Sequence, residues 1–194
     1  VSVLFAREGA DIGICYLDED QDARDTKKMV EDEGRRCLLI QCDLQDQDEI
    51  KKMVEQTLQE FKTINILVNN AGVQYPQESI SDISPEQLLK TFNVNILSMF
   101  HLTQAVIPHM QEGDSIINTT SITSYHGHDQ LLDYASTKGA ITPFTRSLSP
   151  TLLKNKTGIR VNGVAPGPIW TPLIPSSFDE EQLKDFGKST PMGR

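Results

Sequence analysis

Tyr134 and Lys138 are the two residues whose types and spacing most clearly suggest chemistry. Positions i and i+4 lie on one face of a helix, so the phenol and the ammonium are predicted to be neighbours. A tyrosine ordinarily has a pKa of about 10, and an adjacent cation lowers that pKa by stabilising the phenolate. The pair therefore suits acid–base chemistry near neutral pH. An exposed helix pair without a chemical role has the same spacing and is the alternative.

Ser121 weakens that alternative. It precedes Tyr134 by thirteen residues and ends a predicted strand that would face the first turn of the same helix. A serine hydroxyl at this place can hold a substrate carbonyl or alcohol oxygen beside the phenol. The three residues together predict proton transfer at a substrate oxygen.

Small, polar and glycine residues follow four of the predicted strands. In a doubly wound sheet, ligands bind beyond the carboxyl ends of the strands. Four such groups at one edge predict a dinucleotide that lies against the backbone. The groups are Asp43-Leu44, Asn69-Asn70-Ala71-Gly72, Thr119-Thr120-Ser121 and Pro166-Gly167-Pro168-Ile169-Trp170-Thr171.

Strand and helix periodicities alternate along the whole chain. Short buried strands separated by helices indicate βαβ units and a parallel sheet that is covered on both faces. Without a repeat or linker, residues 1–194 are predicted to form a single α/β domain with a Rossmann-like, doubly wound, three-layer architecture. The predicted strands are 11–16, 37–41, 64–68, 115–118 and 159–165, and the predicted helices are 22–33, 46–61, 85–110 and 133–154.

Local signals mark where these helices begin and how they could be interrupted. Asp46 and Glu49 have the spacing of a reciprocal capping box, and Ser84 precedes a proline at the first helical position. Pro143 and Pro150 fall inside the last predicted helix, where each costs about 3 kcal/mol unless the helix kinks or ends.

Composition excludes several classes of protein. With 18 Lys+Arg against 27 Asp+Glu, the net charge of −9 argues against nucleic-acid binding, and no apolar run approaches the ~20 residues that span a bilayer. Cys15, Cys37 and Cys42 lack metal-ligand spacing and are predicted to be buried thiols in a reducing, cytoplasmic compartment. The pair His126 and His128 lacks further ligands, so no metal site is predicted.

The motif set as a whole resembles that of the short-chain dehydrogenase/reductase family. The motifs Asn69-Asn-Ala-Gly72, Ser121, Tyr134-x-x-x-Lys138 and Pro166-Gly167-x-x-x-Thr171 match in order and spacing over essentially the whole chain. The resemblance implies that Tyr134 is the catalytic acid/base and that Ser121 orients the substrate oxygen. It further implies that Lys138 lowers the tyrosine pKa and binds the nicotinamide ribose.

The same resemblance implies roles for further residues. Asn95, in Phe92-Asn-Val-Asn95, matches a helix asparagine that holds a proton-relay water; an amide that caps a helix irregularity is the alternative. Trp170 and the segment 173–178 suit a lid over the substrate, with a packed surface loop as the alternative. The run 164–178 also resembles bacterial general-stress oxidoreductases. The implied cofactor contacts are Asp43 on the adenine amine and Ile169 and Thr171 on the carboxamide, and Asn69 and Asn70 would also brace the central strands. The other implied cofactor-binding residues are Leu44, Asn69, Asn70, Ala71, Gly72, Pro166 and Gly167.

The implied cofactor is NAD or NADP, with a slight preference for NAD. Family members that bind NAD carry an acidic residue where the second family strand ends, because a carboxylate holds the ribose hydroxyls and repels a 2′-phosphate. Tyr16 stands there, followed by Asp18, Glu19 and Asp20, and the nearest cation is Arg24 in the next helix.

The family pattern also leads us to expect a fragment. The first family strand and its glycine-rich Thr-Gly-x-x-x-Gly-x-Gly loop would precede Val1, and the last strand would follow Arg194. In the strand order 3-2-1-4-5-6, the missing first strand is central and the missing loop is the pyrophosphate site. We therefore expect an open sheet and weak dinucleotide binding by these 194 residues.

The resulting functional prediction is an NAD(P)-dependent oxidoreductase that interconverts a small-molecule alcohol and carbonyl. A non-enzymatic dinucleotide-binding regulator on the same fold is the alternative; a sugar-nucleotide epimerase or dehydratase would need a larger carboxyl-terminal domain. Apolar residues surround the helix 85–110, and Ile141, Phe144, Leu148 and Leu152 add more on the helix 133–154. This surplus predicts a homodimer or homotetramer through both helices, which the resemblance also implies.

Overall fold

Parallel strands alternate with helices in the computed structural model, which describes residues 1–184 and 186–188. The strands are β1 Ile12–Tyr16, β2 Cys37–Gln41, β3 Ile66–Asn69, β4 Ser115–Thr119 and β5 Arg160–Val164. The helices are α1 Ser2–Arg7, α2 Asp20–Asp32, α3 Gln47–Phe61, α4 Pro85–Phe92, α5 Ser98–Val106, α6 Thr123–His126, α7 Leu132–Lys154 and α8 Glu180–Leu183. A π-helical segment spans Asn93–Leu97, and short 3₁₀ turns span Ile80–Asp82 and Ile107–His109.

The first of two compact units comprises Val1–Asn65 and Phe100–Met110. Its parallel sheet pairs β1 with β2, from Ile12 opposite Cys37 to Tyr16 opposite Gln41. One core cluster consists of Ala6, Ile12, Val30 and Cys37. A second consists of Ile40, Cys42, Ile50 and Met53, with Leu44, Leu102 and Ala105 packed against it.

The second unit comprises Ile66–Met99 and Gln111–Arg194. Its three-stranded parallel sheet has the order β3-β4-β5, with Ile66 opposite Ser115 and Ser115 opposite Arg160. Ile96, Met99 and Ile141 form its buried apolar cluster. The strand orders within the two sheets are those expected when the first family strand is left out, and the predicted α/β class is confirmed. The single domain over residues 1–194 stays a prediction.

The predicted capping box forms only in part. Asp46 accepts hydrogen bonds from the backbone N–H groups of Asp48 and Glu49 at 2.8 and 3.2 Å. The Glu49 carboxylate, however, binds the N–H of Asp43 at 2.7 Å, because the Asp46 N–H already donates to the Asp43 carbonyl at 2.9 Å. The prediction of a reciprocal contact from Glu49 to the Asp46 N–H was therefore wrong. The Ser84 cap on the Gln87 N–H forms as predicted, at 3.1 Å.

The helix predicted at 85–110 is the main correction to the fold. It is divided into α4, the π segment, α5 and a final 3₁₀ turn, whereas α7 runs unbroken through Pro143 and Pro150. Two residues counted as surplus on α7 are also in the core: Ile141 is 0% exposed, and Leu152 is buried. Ile141 packs against Ile96 and Met99 of the same chain, so it offers no surface to a partner.

Two further observations complete the description. No helix within residues 1–184 and 186–188 is long and apolar enough to cross a membrane. The carboxyl-terminal run 190–194, at which we expected the sequence to stop short of a last strand, lies outside the described residues.

Candidate active site

Tyr134 and Lys138 lie in the first two turns of α7 and are both buried, at 9% and 3% exposure. The Lys138 Nζ atom lies 5.6 Å from the centroid of the Tyr134 ring, which is within the range of a cation–π contact. The predicted neighbours therefore meet, and they do so away from bulk water. An exposed helix pair does not describe them.

Ser121 follows β4 and is oriented by Thr123. The Ser121 Oγ atom accepts hydrogen bonds from the Thr123 N–H at 3.1 Å and from the Thr123 Oγ1 at 3.0 Å. A hydroxyl oxygen has two lone pairs, so both are occupied and its hydrogen is left to donate. Ser121 is hydrogen-bonded to the Tyr134 side chain. The serine thus presents a donor to the phenol oxygen.

The electrostatics of Tyr134 differ from the sequence expectation. Burial raises the pKa of its phenol, and the hydrogen bond with Ser121 lowers that pKa in part. The expected lowering by Lys138 does not occur, because the ammonium lies over the ring face and donates to the Thr119 carbonyl at 2.9 Å. At neutral pH the phenol is therefore held in its protonated form.

Lys138 is a buried cation with little compensation from the protein. Burial lowers the pKa of its ammonium to about 8. Among the described residues, its single hydrogen-bond acceptor is the Thr119 carbonyl, so two of its three hydrogens remain for a ligand. Because hydroxyl oxygens satisfy such donors, these hydrogens suit a sugar.

Gly72 keeps a space open beside that ammonium. A Cβ atom at this position would lie 3.4 Å from the Lys138 Nζ atom and 3.5 Å from the Asn95 Oδ1 atom. Any side chain would fill the volume in front of the two spare hydrogens. Gly72 and Lys138 together therefore fit the ribose of a nicotinamide cofactor.

Asn95 lies in the π segment and is fully buried. Its Oδ1 atom accepts from the Val73 N–H at 2.8 Å, and its Nδ2 group donates to the Val73 carbonyl at 2.9 Å and to the Thr137 Oγ1 at 3.0 Å. Both amide hydrogens are thus used, and one lone pair of Oδ1 remains. A π insertion in a helix is common at functional sites, and here it is the helix irregularity that stood as the alternative interpretation of Asn95.

Asn69, the last residue of β3, and Asn70, which follows it, brace the sheet, as expected. The Asn69 Nδ2 group donates to the Asn118 Oδ1 at 2.9 Å, and the Asn118 Nδ2 group donates to the Thr145 Oγ1 at 3.0 Å. The Asn70 Oδ1 accepts from the Thr119 Oγ1 at 3.1 Å. Asn118 was missed, although a lone amide at the end of the apolar run of β4 was the available signal.

The loop after β5 joins the loop that carries Ser121. The Ile122 N–H donates to the Pro166 carbonyl at 3.0 Å, and a Cβ at Gly167 would lie 3.8 Å from the Ile122 Cδ1 atom. Ile169, Thr171 and Trp170 follow on exposed backbone. The Trp170 ring packs edge-on against Phe186, with centroids 5.6 Å apart.

Asp43 and Leu44 follow β2 in the first unit. The Asp43 Oδ1 accepts from the Gln45 N–H at 2.9 Å, and Leu44 packs against the cluster of Ile40 and Cys42. Their contacts with the adenine stay a prediction.

A family model described as enoyl-(acyl carrier protein) reductase matches residues 1–194. The chain belongs to the short-chain dehydrogenase/reductase family. This membership confirms the resemblance carried by the motifs.

Relatives in other organisms agree with this membership. The chain is 58% identical over 193 residues to uncharacterized oxidoreductase YhdF of Bacillus subtilis (strain 168), covering 100% of this chain and 66% of that protein. It is 55% identical to general stress protein 39 of the same bacterium, covering 100% and 67%. It is 47% identical to glucose and ribitol dehydrogenase of Daucus carota, covering 98% and 67%. The chain thus spans about two thirds of the length of these relatives.

Two solved structures of the family resemble the chain closely. A short-chain dehydrogenase from Burkholderia cenocepacia J2315 in complex with NADP has a TM-score of 0.86 at 29% identity, covering 95% of this chain and 75% of its own. The 3-ketoacyl-(acyl-carrier-protein) reductase from Brucella melitensis, complexed with NADH, has a TM-score of 0.87 at 27% identity, covering 100% and 78%.

The burial of Lys138 predicts a pH-dependent stability. Its folded-state pKa of about 8 lies below the ordinary 10.5, so between these values the unfolded state binds more protons. Below pH ~8 the ammonium is charged in both states, so the folded protein carries the whole free-energy cost of burying it. This cost disappears as the pH rises from about 8 to about 10.5, because the folded state loses its proton first. Relative to Lys138→Met, the parent should gain about 3 kcal/mol of unfolding free energy between pH 7.5 and 10.5.

Urea unfolding at several pH values measures this difference. Lys154→Met, at the exposed end of the same helix, is the control and should follow the parent. Parallel plots of unfolding free energy against pH for the parent and Lys138→Met would contradict the prediction.

Proposed function

We propose that this protein is an NAD(P)-dependent oxidoreductase that interconverts an alcohol and a carbonyl, with Tyr134 as the acid/base. The observation that carries the proposal is the buried group of Ser121, Tyr134 and Lys138, in which the serine donor meets the phenol and the ammonium keeps two hydrogens for a ligand. Family membership and the oxidoreductase names of the relatives support it.

Each of these residues has a defined part in reduction. The substrate carbonyl oxygen takes a hydrogen bond from Ser121 and then the phenolic proton of Tyr134, whose raised pKa keeps that proton available at neutral pH. A nicotinamide cofactor would supply the hydride for this reduction. Lys138 would hold its ribose hydroxyls, and the free lone pair of Asn95 Oδ1 would accept from a water that restores the proton of Tyr134. In alcohol oxidation, Tyr134 accepts the proton instead.

Tyr134→Phe, introduced into the intact protein, tests this assignment directly. Removal of one hydroxyl eliminates the proton donor, so turnover should fall by about 10²–10⁴-fold while calorimetry detects nearly unchanged cofactor binding. The assay follows absorbance at 340 nm with glucose and ribitol, after which the carrot relative is named, and with a panel of aldehydes and simple alcohols.

Tyr75→Phe removes the same atom from a tyrosine to which the proposal gives no role, and it should behave as the parent does. Turnover by Tyr134→Phe within tenfold of the parent would refute the assignment. Cofactor binding without turnover by the parent would instead favour the non-enzymatic regulator.

A preference for NAD over NADP is the second part of the proposal. The Tyr16 hydroxyl, at the end of β1, is hydrogen-bonded to Asp20, and this contact raises the tyrosine pKa. The nearest cation, Arg24, is already engaged, with its guanidinium 3.6 Å from the Asp20 carboxylate. The negative charge of Asp20 and the absence of an unpaired cation among the residues named here would repel the 2′-phosphate of NADP. Asp43 and Leu44 complete the proposed adenosine contacts.

Calorimetric titration of the intact protein with both dinucleotides measures the preference. NAD should bind at least about tenfold more tightly than NADP, and Asp20→Asn should narrow the ratio because it removes one negative charge. Tighter binding of NADP by the parent would overturn the preference.

The proposed assembly is a homodimer or homotetramer in the cytoplasm. Leu88 and Leu89 on α4 are exposed, as is Leu153 near the end of α7, and α5 exposes Phe100. Large apolar side chains are costly to leave in water when they form a contiguous patch. The three free cysteines support a reducing compartment, although Cys15 is exposed and not buried as predicted.

Light scattering at tens of micromolar should therefore report two or four copies. Phe100→Glu should reduce the molar mass of the assembly in solution, because a carboxylate in an apolar contact between copies is unfavourable. The matched control Leu4→Glu places the same charge on α1, outside the proposed contact, and should not change the mass. A stable monomer, or a Phe100→Glu variant of unchanged mass, would exclude this arrangement.

A further inference from the structure

Asp133 is a buried carboxyl that the proposed chemistry does not use. It directly precedes Tyr134 in the first turn of α7 and is 3% exposed. Burying such a group is costly unless a cation or hydrogen bonds compensate it. No lysine, arginine or histidine within the described ranges forms an ion pair with it. Its hydrogen bonds must therefore hold it.

The two oxygens of Asp133 face different parts of the fold. Its Oδ2 atom accepts from the Thr91 Oγ1 at 2.8 Å and from the Gln87 Nε2 at 3.0 Å, both on α4. Its Oδ1 atom accepts from the Tyr134 N–H at 2.8 Å. One side chain thus ties α4 to the backbone of the proposed acid/base.

The start of α7 needs such a tie. The first N–H groups of a helix have no acceptor within the helix, and helix ends open readily. Leu131, at the N-cap of α7, offers no side-chain oxygen. Because Tyr134 lies in this turn, Asp133 supplies an acceptor that the helix itself does not.

The α4 side of the tie is firmly held. The Gln87 Nε2 group also donates to the Tyr75 carbonyl at 3.3 Å, and the Gln87 Oε1 accepts from the Gln77 Nε2 at 2.7 Å. Ser84 caps the Gln87 N–H, and Thr91 is fully buried. A capped, immobilised helix thus steadies one that begins without a side-chain cap.

We infer that Asp133 is a positioning residue for Tyr134: its carboxylate fastens the first turn of α7 to α4 and so keeps the phenol at hydrogen-bonding distance from Ser121. The inference rests on the proposed function, in which Tyr134 transfers the proton. Displacement of a reacting group by about 1 Å can cost 10²-fold in rate. Loosening this turn therefore lowers kcat and leaves cofactor affinity unchanged.

Asp133→Ala and Asp133→Asn test the inference, with kcat measured on the substrate that the parent enzyme turns over fastest. Asp133→Ala should lower kcat by about 10²-fold, with the calorimetric Kd of the cofactor unchanged, and should speed amide hydrogen exchange in a peptide covering 131–138. Asp133→Asn retains an oxygen for the Tyr134 N–H and should stay within about tenfold of the parent. Asp129→Asn is the charge control, because its side chain is 94% exposed, and it should match the parent.

Substitutions at Thr91 keep the test decisive if Asp133→Ala does not fold. Thr91→Val removes the hydroxyl that binds Asp133 and should lower kcat about tenfold, whereas Thr91→Ser keeps the hydroxyl and should retain kcat. Equal kcat for these two variants, or kcat of Asp133→Ala within threefold of the parent, would overturn the inference. If Tyr134→Phe stays active, the proposed function fails, and hydrogen exchange at 131–138 still shows whether Asp133 anchors this turn.

Discussion

The carboxamide of Asn95 binds both backbone groups of Val73 and the hydroxyl of Thr137, and the geometry of the site depends on these three contacts. They join the loop after β3, the π segment and α7. Because an amide has only two hydrogens and one strongly accepting oxygen, the contacts fix its plane and hence the distance between the three elements. The extra residue in the π turn allows Asn95 to face inward while the apolar residues Ile96 and Met99 still reach the core. The opening at Gly72 is a result of this arrangement.

The charge at Lys138 is the second feature on which the candidate site depends. A fully hydrated ammonium would have no preference for a ligand, and one paired with a carboxylate would have no hydrogens to spare. Lys138 has neither compensation: burial lowers its pKa to about 8, and its protein acceptor is one carbonyl oxygen. Under the proposed function, a hydroxylated ligand would recover the free energy lost on burying this charge. Stability and binding are thus opposed at one side chain, which is common at functional sites.

The sequence predicted most of the fold, because its dominant signals are local. Strand β2 was predicted to the residue, and the Ser84 cap and the first two turns of α7 followed from residue type and spacing. A helix irregularity at Asn95 was one of the sequence-based interpretations, but its π form and the Asn118 brace could not be predicted, because both depend on partners more than twenty residues away. The expected effect of Lys138 on the pKa of Tyr134 was wrong for a related reason. Spacing places the ammonium beside the ring, but the Thr119 carbonyl decides which part of the ring it faces.

Trp170 is the single tryptophan of these 194 residues, and it lies in the loop after β5 rather than in a core. Its indole is 61% exposed and has Phe186 as an edge-on neighbour. Indole emission shifts with local polarity, and the tryptophan emission of this chain, excited selectively at the long-wavelength edge of its absorption, originates in the segment proposed to cover the substrate. Displacement of that segment changes the emission even when the two sheets are unaltered. The molecule thus contains its own optical probe of the loop, and unfolding of its cores must be followed by another signal.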